Sequence, residues 1–119
     1  MNQSMTTAPK RHQILNTFVN ALTMEETVAE VEKIVARGAP TQHVVINASK
    51  VNLMEEDPDL RAIVNACPLI NADGASIVWA AKVLGVPLAE RVTGIDLFLR
   101  LVEMAPEKCW GIYLFGAKE

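Results

Sequence analysis

Polar side chains that could do chemistry interrupt the apolar segments of this 119-residue chain at a few defined places. Asp73 lies in Asn71-Ala72-Asp73-Gly74, between a short apolar run and a longer one that begins at Gly74. A carboxylate in this position can act as a general base, or it can cap the following helix by accepting backbone N–H bonds. The two roles compete, because capping bonds favour the charged form whereas a base works best with a pKa near the working pH. The residues alone leave both roles open.

An amide and a guanidinium extend this pattern of polar side chains at segment ends. Asn47 ends the β-branched run 43–47, where it can cap the next helix or hydrogen-bond a sugar hydroxyl. Arg91 precedes a predicted helix, where it can hold a phosphate together with free helix N–H groups or pair with Glu90. Thr93 fits an N-cap better than a ligand.

Alternating strand and helix signals position these side chains. We predict strands over 14–19, 43–47, 69–71 and 110–115, and helices over 24–37, 49–56, 58–66, 74–84 and 95–104. Thr23 with Glu26 forms a capping box, Asp57 with Pro58 starts a helix, and Pro106 is expected to stop the last helix. This order favours an α/β fold with a parallel sheet and helices on both faces, in which ligands bind outside the carboxyl ends of the strands.

Composition narrows the classes of function. Apolar residues make up 50% of the chain, the net charge is −3, and no basic stripe is present, so nucleic acid is not expected as a partner. The longest near-apolar run, 62–81, contains a proline, an aspartate and a glycine, which argues against a membrane span. Cys67 and Cys109 are predicted to be buried free thiols rather than zinc ligands.

We assign no chemical role to the tryptophan and histidine side chains. Trp79 and Trp110 are predicted to lie in the core, because both stand within apolar segments. His12 and His43 have no nucleophile partner in the sequence, and we expect both to be structural or solvated. Residues 1–12 are expected to form a flexible arm.

The stretches "INASKV", "NADGASIVWAAKVLGVPLAERVTGIDLF" and "YLFGAKE" resemble the WecG/TagA/CpsF family of bacterial glycosyltransferases. The resemblance implies that residues 13–119 are the front part of a Rossmann-like α/β domain, apparently truncated. It implies inverting transfer of N-acetylmannosamine, its uronic acid or a related hexose from a UDP-sugar to undecaprenyl-diphosphate-linked N-acetylglucosamine, in cell-surface polysaccharide synthesis. It further implies a cytoplasmic protein, peripheral to the inner face of the cell membrane.

The resemblance also assigns roles to single residues. It implies that Asp73 of the "NADG" motif, with Gly74 beside it, is the catalytic base. It implies that Arg91 and Thr93 of "ERVTG" and Asn47 at its strand end bind substrate. General base catalysis by the carboxylate would accelerate the reaction by about 10²–10⁴-fold. We expect no metal cofactor, because we recognise no Asp-x-Asp pair that could hold Mg²⁺ or Mn²⁺.

Val45 is a departure from the family pattern, since many members have threonine there and a methyl here replaces a hydroxyl. The alternative to the enzyme is a truncated, non-catalytic α/β module that binds a UDP-sugar weakly or only self-associates. A parallel sheet cut after one strand exposes an edge and an apolar face. We therefore expect a homo-oligomer, formed through the last strand.

Overall fold

The computed structural model describes residues 11–88 and 92–116, as a mixture of short strands and longer helices. The elements are β1 (Arg11–Ile14), β2 (Thr17–Asn20), α1 (Met24–Arg37), β3 (His43–Ile46), α2 (Ala48–Glu56), α3 (Pro58–Asn65), β4 (Leu69–Ala72), α4 (Ala75–Leu84) and α5 (Gly94–Lys108). None of the helices in the described part of the chain is long and apolar enough to cross a membrane.

β3 and β4 form the parallel pair that organises the fold, in a register that runs from His43 opposite Leu69 to Ile46 opposite Ala72. All residues of β4 are buried, as expected for a strand that is covered on both faces. β1 and β2 form a separate antiparallel hairpin. Asn20 joins this hairpin to β4, because its side-chain oxygen accepts the N–H of Ile70 at 2.7 Å.

Helices cover both faces of the parallel pair. On one face, Ile46 and Ile70 belong to a buried cluster that includes Met54 of α2 and Ile77 of α4. On the other face, a smaller cluster joins Val28 of α1 to residues at the start of α5. The predicted parallel sheet with helices on both faces is therefore confirmed.

Local capping signals fix where the helices begin. At α1, the Thr23 side chain accepts the N–H of Glu26 at 3.1 Å, and the Glu26 carboxylate accepts the N–H of Thr23 at 2.9 Å. At α3, Asp57 is the N-cap and Pro58 occupies the first turn. Both predicted starts are confirmed. α1 is capped at its C-terminus by Gly38, whose φ of +76° is a left-handed conformation that glycine adopts without strain.

The predicted strands at the two ends of the chain were wrong. Instead of one strand over 14–19, the chain turns between β1 and β2, with Leu15 at a φ of +55°. Instead of a strand over 110–115, the structure has an unpaired segment in which Tyr113 and Phe115 are exposed. Both regions are apolar and β-rich in composition, and that pattern does not determine where a strand finds its partner.

Several predictions about single residues were also wrong. Pro106 does not stop α5, which continues to Lys108. Trp79 is not a core residue, since 66% of its surface is exposed. Cys67 is buried as predicted, but Cys109 is exposed. Residues 1–10, most of the predicted arm, lie outside the described residues.

Candidate functional site

The carboxyl ends of β3 and β4 meet at one edge of the sheet. The N–H of Asp73 donates to the carbonyl of Ile46 at 2.8 Å, so the chain leaves both strands side by side. The N–H of Val92 donates to the carbonyl of Ala72 at 2.9 Å, which brings the start of α5 to the same edge. The first turns of α2, α4 and α5 therefore gather around the place where Asp73 leaves the sheet.

The Asp73 carboxylate does not cap the helix that follows it. The N-cap of α4 is Gly74, and no side chain caps this helix. Instead, Asp73 Oδ2 accepts the N–H of Gly94, at the start of α5, at 3.4 Å. A bond of that length is weak, and the positive end of the α5 dipole favours a carboxylate in this position. The capping interpretation of Asp73 was wrong for α4, and the carboxylate stands half-buried between two helix starts.

Gly74 lets the chain turn sharply between β4 and α4. Its φ of +107° is a conformation that only glycine adopts readily. A Cβ added there would lie 3.9 Å from Cβ of Asn47, so this turn runs directly beside the end of β3. Because α4 has no side-chain cap, the N–H groups of its first turn have the arrangement that binds anions at helix N-termini.

Asn47 and Thr93 are both N-caps. Asn47 Oδ1 accepts the N–H of Lys50 at 2.9 Å, and Thr93 Oγ1 accepts the N–H of Asp96 at 3.1 Å. The capping interpretations are confirmed for both residues. Capping uses only the oxygen of the Asn47 side chain, so its NH₂ group remains a donor at an exposed position.

The structure thus brings Asp73, Gly74, Asn47 and Thr93 to one edge of the sheet. Arg91 lies outside the described residues. Val45, which replaces the more usual threonine, has its Cγ2 3.8 Å from the position that a Cβ on Gly94 would occupy. The methyl therefore packs against the first turn of α5.

A series of hydrogen-bonded polar side chains lies next to the site and includes a residue of β4. His43 Nε2 lies 2.7 Å from Asn71 Oδ1, and Asn71 Nδ2 donates to Thr27 Oγ1 at 3.1 Å. The Thr27 hydroxyl in turn donates to the carbonyl of Thr23 at 2.8 Å. Burial lowers the pKa of His43, the hydrogen bond to Asn71 opposes this, and the charge of nearby Lys50 adds to the lowering. The structural interpretation of His43 is confirmed, and this series fixes β4 two residues before Asp73.

Sequence reasoning missed two residues at this edge. Gly94 gives Asp73 its hydrogen bond, and the only local signal for it was a small residue directly after a cap. Lys50 extends from α2 back over β3, where its Nζ donates to the carbonyl of Val45 at 2.8 Å. The sequence shows a lysine one turn after the end of a strand, but it does not show that the side chain points back toward that strand.

The ground for expecting no metal ion was wrong, because the sequence does contain one Asp-x-Asp pair. Asp57 and Asp59 have Asp-x-Asp spacing, but Asp57 Oδ1 accepts the N–H groups of Asp59 and Leu60, each at 3.1 Å. Helix capping therefore accounts for Asp57. Over residues 11–88 and 92–116, no three His, Cys, Asp or Glu side chains are grouped so that they could hold a metal ion.

Comparisons with known proteins agree with the resemblance noted in the sequence. The family model described as "Glycosyl transferase WecG/TagA/CpsF family" matches residues 12–119. A curated relative from Bacillus spizizenii, an N-acetylglucosaminyldiphosphoundecaprenol N-acetyl-beta-D-mannosaminyltransferase, is 32% identical over 62 residues. That match covers 52% of this chain and 24% of the relative, so the chain spans only part of the relative's length. The chain belongs to the WecG/TagA/CpsF family of glycosyl transferases.

Proposed function

We propose that the protein transfers N-acetylmannosamine, its uronic acid or a related hexose, with inversion, from a UDP-sugar to an undecaprenyl-diphosphate-linked N-acetylglucosamine. The observation that carries this proposal is the Asp73 carboxylate, which stands at the carboxyl edge of the sheet and does not cap α4. The name of the Bacillus relative, which describes an N-acetylmannosaminyl transfer to a diphosphoundecaprenol-linked sugar, supports the choice of substrates.

Asp73 acts as the general base in this proposal. It takes the proton from the acceptor hydroxyl while that oxygen attacks the anomeric carbon, on the side opposite the departing UDP. The new glycosidic bond forms as the bond to the diphosphate oxygen breaks, so the configuration inverts. The long bond from the Gly94 N–H orients Oδ2, and among the described residues no group bonds Oδ1, which is therefore available to the acceptor.

The leaving diphosphate needs positive charge or N–H donors as its own negative charge grows. The uncapped first turn of α4 supplies N–H groups at the edge where Asp73 lies. Gly74 lets the backbone approach the ligand closely, and we propose that Arg91 pairs with a phosphate oxygen. We propose that these groups stabilise the leaving diphosphate without a metal ion.

Asn47 and Thr93 bind the sugars in this proposal. Both retain donor groups after capping: the Asn47 NH₂ and the Thr93 hydroxyl hydrogen. The lipid-linked acceptor requires the protein to work at a membrane surface, and a nucleotide-sugar donor implies its cytoplasmic face.

The proposed function is tested by acceptor-dependent release of UDP, measured with the protein from its full reading frame. Several UDP-sugars are each supplied with and without an N-acetylglucosaminyl-diphosphate-lipid. We expect saturable release only when donor and acceptor are both present. UDP release at equal rates without the acceptor would mean hydrolysis and would refute the transfer.

A second candidate is a non-catalytic module that binds a UDP-sugar weakly or associates with itself. The exposed apolar segment that contains Tyr113, Leu114 and Phe115 favours it. This candidate predicts at best weak UDP binding in calorimetry, with no release under any of the donor and acceptor combinations.

A further inference from the structure

β3 leaves one side of its backbone open. Ile46 directs its carbonyl toward β4, where it accepts the Asp73 N–H. Because alternate residues of a strand direct their backbone groups to opposite sides, those of His43 and Val45 face the open edge. Within residues 11–88 and 92–116, β3 pairs with β4 alone, and Lys50 Nζ covers the Val45 carbonyl at this edge.

An apolar groove lies on each face of this open edge. On the α5 face, a cavity of about 250 Å³ is lined by Val45, Leu97 and Phe98, among others. On the opposite face, a cavity of about 350 Å³ is lined by Leu53 and Ile63 together with neighbouring residues. Apolar side chains from helices on both faces therefore flank the open edge of β3.

The side of α5 opposite Leu97 is also apolar and exposed. Ile95, Phe98, Leu99 and Val102 recur at helical spacing and are all exposed. The inner side of the helix already packs through Leu97. A surface helix normally has one apolar stripe, so the second stripe indicates a contact that is unfilled in the described residues.

A segment of suitable chemistry occurs in the same chain. Residues 112–115 read Ile-Tyr-Leu-Phe, and Tyr113, Leu114 and Phe115 are strongly exposed. Apolar side chains at consecutive positions suit a strand that is buried on both faces, and Gly111 and Gly116 flank them. The segment has four apolar residues, as many residues as β3 has.

We propose that two copies of this chain exchange residues 111–116, so that the segment of each copy adds a strand to the open edge of β3 in the other. A strand satisfies the open backbone groups of His43 and Val45, which a lipid chain cannot do. Reciprocal exchange gives a closed twofold dimer, in which each copy both donates and receives a segment. This inference is independent of sugar transfer, because it concerns association alone.

The test uses analytical ultracentrifugation of the 119-residue chain and of matched aspartate variants. Leu114→Asp disables the donated segment at a residue that is 76% exposed, and Leu53→Asp disables the receiving groove at a residue that is 55% exposed. Val83→Asp, on α4 at 63% exposure, is the control for a charge on an exposed apolar residue away from the groove. Circular dichroism checks that every variant keeps its helices.

We expect a dimer for the wild type and for Val83→Asp. Each of Leu114→Asp and Leu53→Asp should raise the dimer dissociation constant by about tenfold or more, because a carboxylate would be buried without a partner. An equimolar mixture of these two variants should associate more strongly than either alone, since one has an intact groove and the other an intact segment. A monomeric wild type, a dimer that survives Leu114→Asp, or a mixture with no gain over the separate variants would each overturn the exchange. The first result would be expected if each segment instead folds onto its own chain.

Discussion

Replacing Gly74 and Gly94 by alanine separates backbone conformation from crowding at the candidate site. The two glycines flank Asp73 in space and face similar surroundings. A Cβ on Gly74 would lie 3.9 Å from Asn47 Cβ, and a Cβ on Gly94 would lie 3.8 Å from Val45 Cγ2, so both would make ordinary contacts. Only Gly74, with a φ of +107°, has a conformation that alanine avoids. Any large difference between the two variants therefore reports backbone strain.

The magnitudes follow from this contrast. Holding alanine in a sparsely populated backbone region costs about 1–3 kcal/mol. Alanine also lowers the conformational entropy of the unfolded chain, which offsets about 0.4–1 kcal/mol of this cost. Gly74→Ala should therefore lower the free energy of unfolding by roughly 1–2 kcal/mol. Gly94→Ala lies in the first turn of a helix, where alanine is preferred, and should be neutral or stabilising by up to about 1 kcal/mol.

Urea unfolding measures both changes through the transition midpoint, with the m-value as a check that the same surface is exposed. Equal losses in the two variants would mean that crowding, rather than φ, determines the cost. A Gly74→Ala variant with wild-type stability would show that the turn between β4 and α4 accepts a side chain, and the reasoning about its geometry would fail.

Three further predictions concern the support of the site, its edge and its first helix. The half-buried His43 has a lowered pKa, so the folded state prefers the neutral ring. Its contribution to stability should be complete above about pH 6.5 and lost as the pH falls through the folded-state pKa. His43→Gln should flatten this pH dependence in urea midpoints measured across the range. Lys50→Met removes the ammonium that bonds the Val45 carbonyl at the open edge of β3, so it should strengthen self-association in sedimentation. Unchanged or weaker association would contradict the idea that Lys50 blocks this edge. Thr23→Ala removes half of the capping box and should lower the free energy of unfolding by about 1 kcal/mol, while Thr41→Ala, on an exposed loop, should change it by less than about 0.5 kcal/mol.

Local signals in the sequence predicted most of the helices and the central strands. The capping box at Thr23 and the Asp57-Pro58 start depend on neighbours within a few residues, and the structure has both. The β-branched run before Asn47 and the apolar run before Asp73 predicted the two parallel strands, and hence the edge of the sheet at which the candidate site lies. These features are set by short-range chemistry, which the sequence displays directly.

Contacts between distant residues could not be read in the same way. The residues left Asp73 either as the cap of α4 or as a functional carboxylate. Its bond to Gly94, 21 residues away, could not be predicted, because it depends on α5 beginning at the same edge. Trp79 was placed in the core because its helix is apolar nearly all round, yet the described structure leaves that side uncovered. The segment that contains Tyr113 has the composition of a strand, and its pairing depends on an edge elsewhere in the fold.

The role of Asp73 as the catalytic base is tested most directly by the turnover number of Asp73→Asn, measured in the acceptor-dependent UDP release assay. The matched control is Asp96→Asn, which alters a carboxylate in the first turn of α5 without touching the proposed base. We expect Asp73→Asn to bind the UDP-sugar and to lose at least about a hundredfold in turnover, with Asp96→Asn close to the wild type. A folded Asp73→Asn protein that turns over at the wild-type rate would contradict the account, and the base would then have to be another residue.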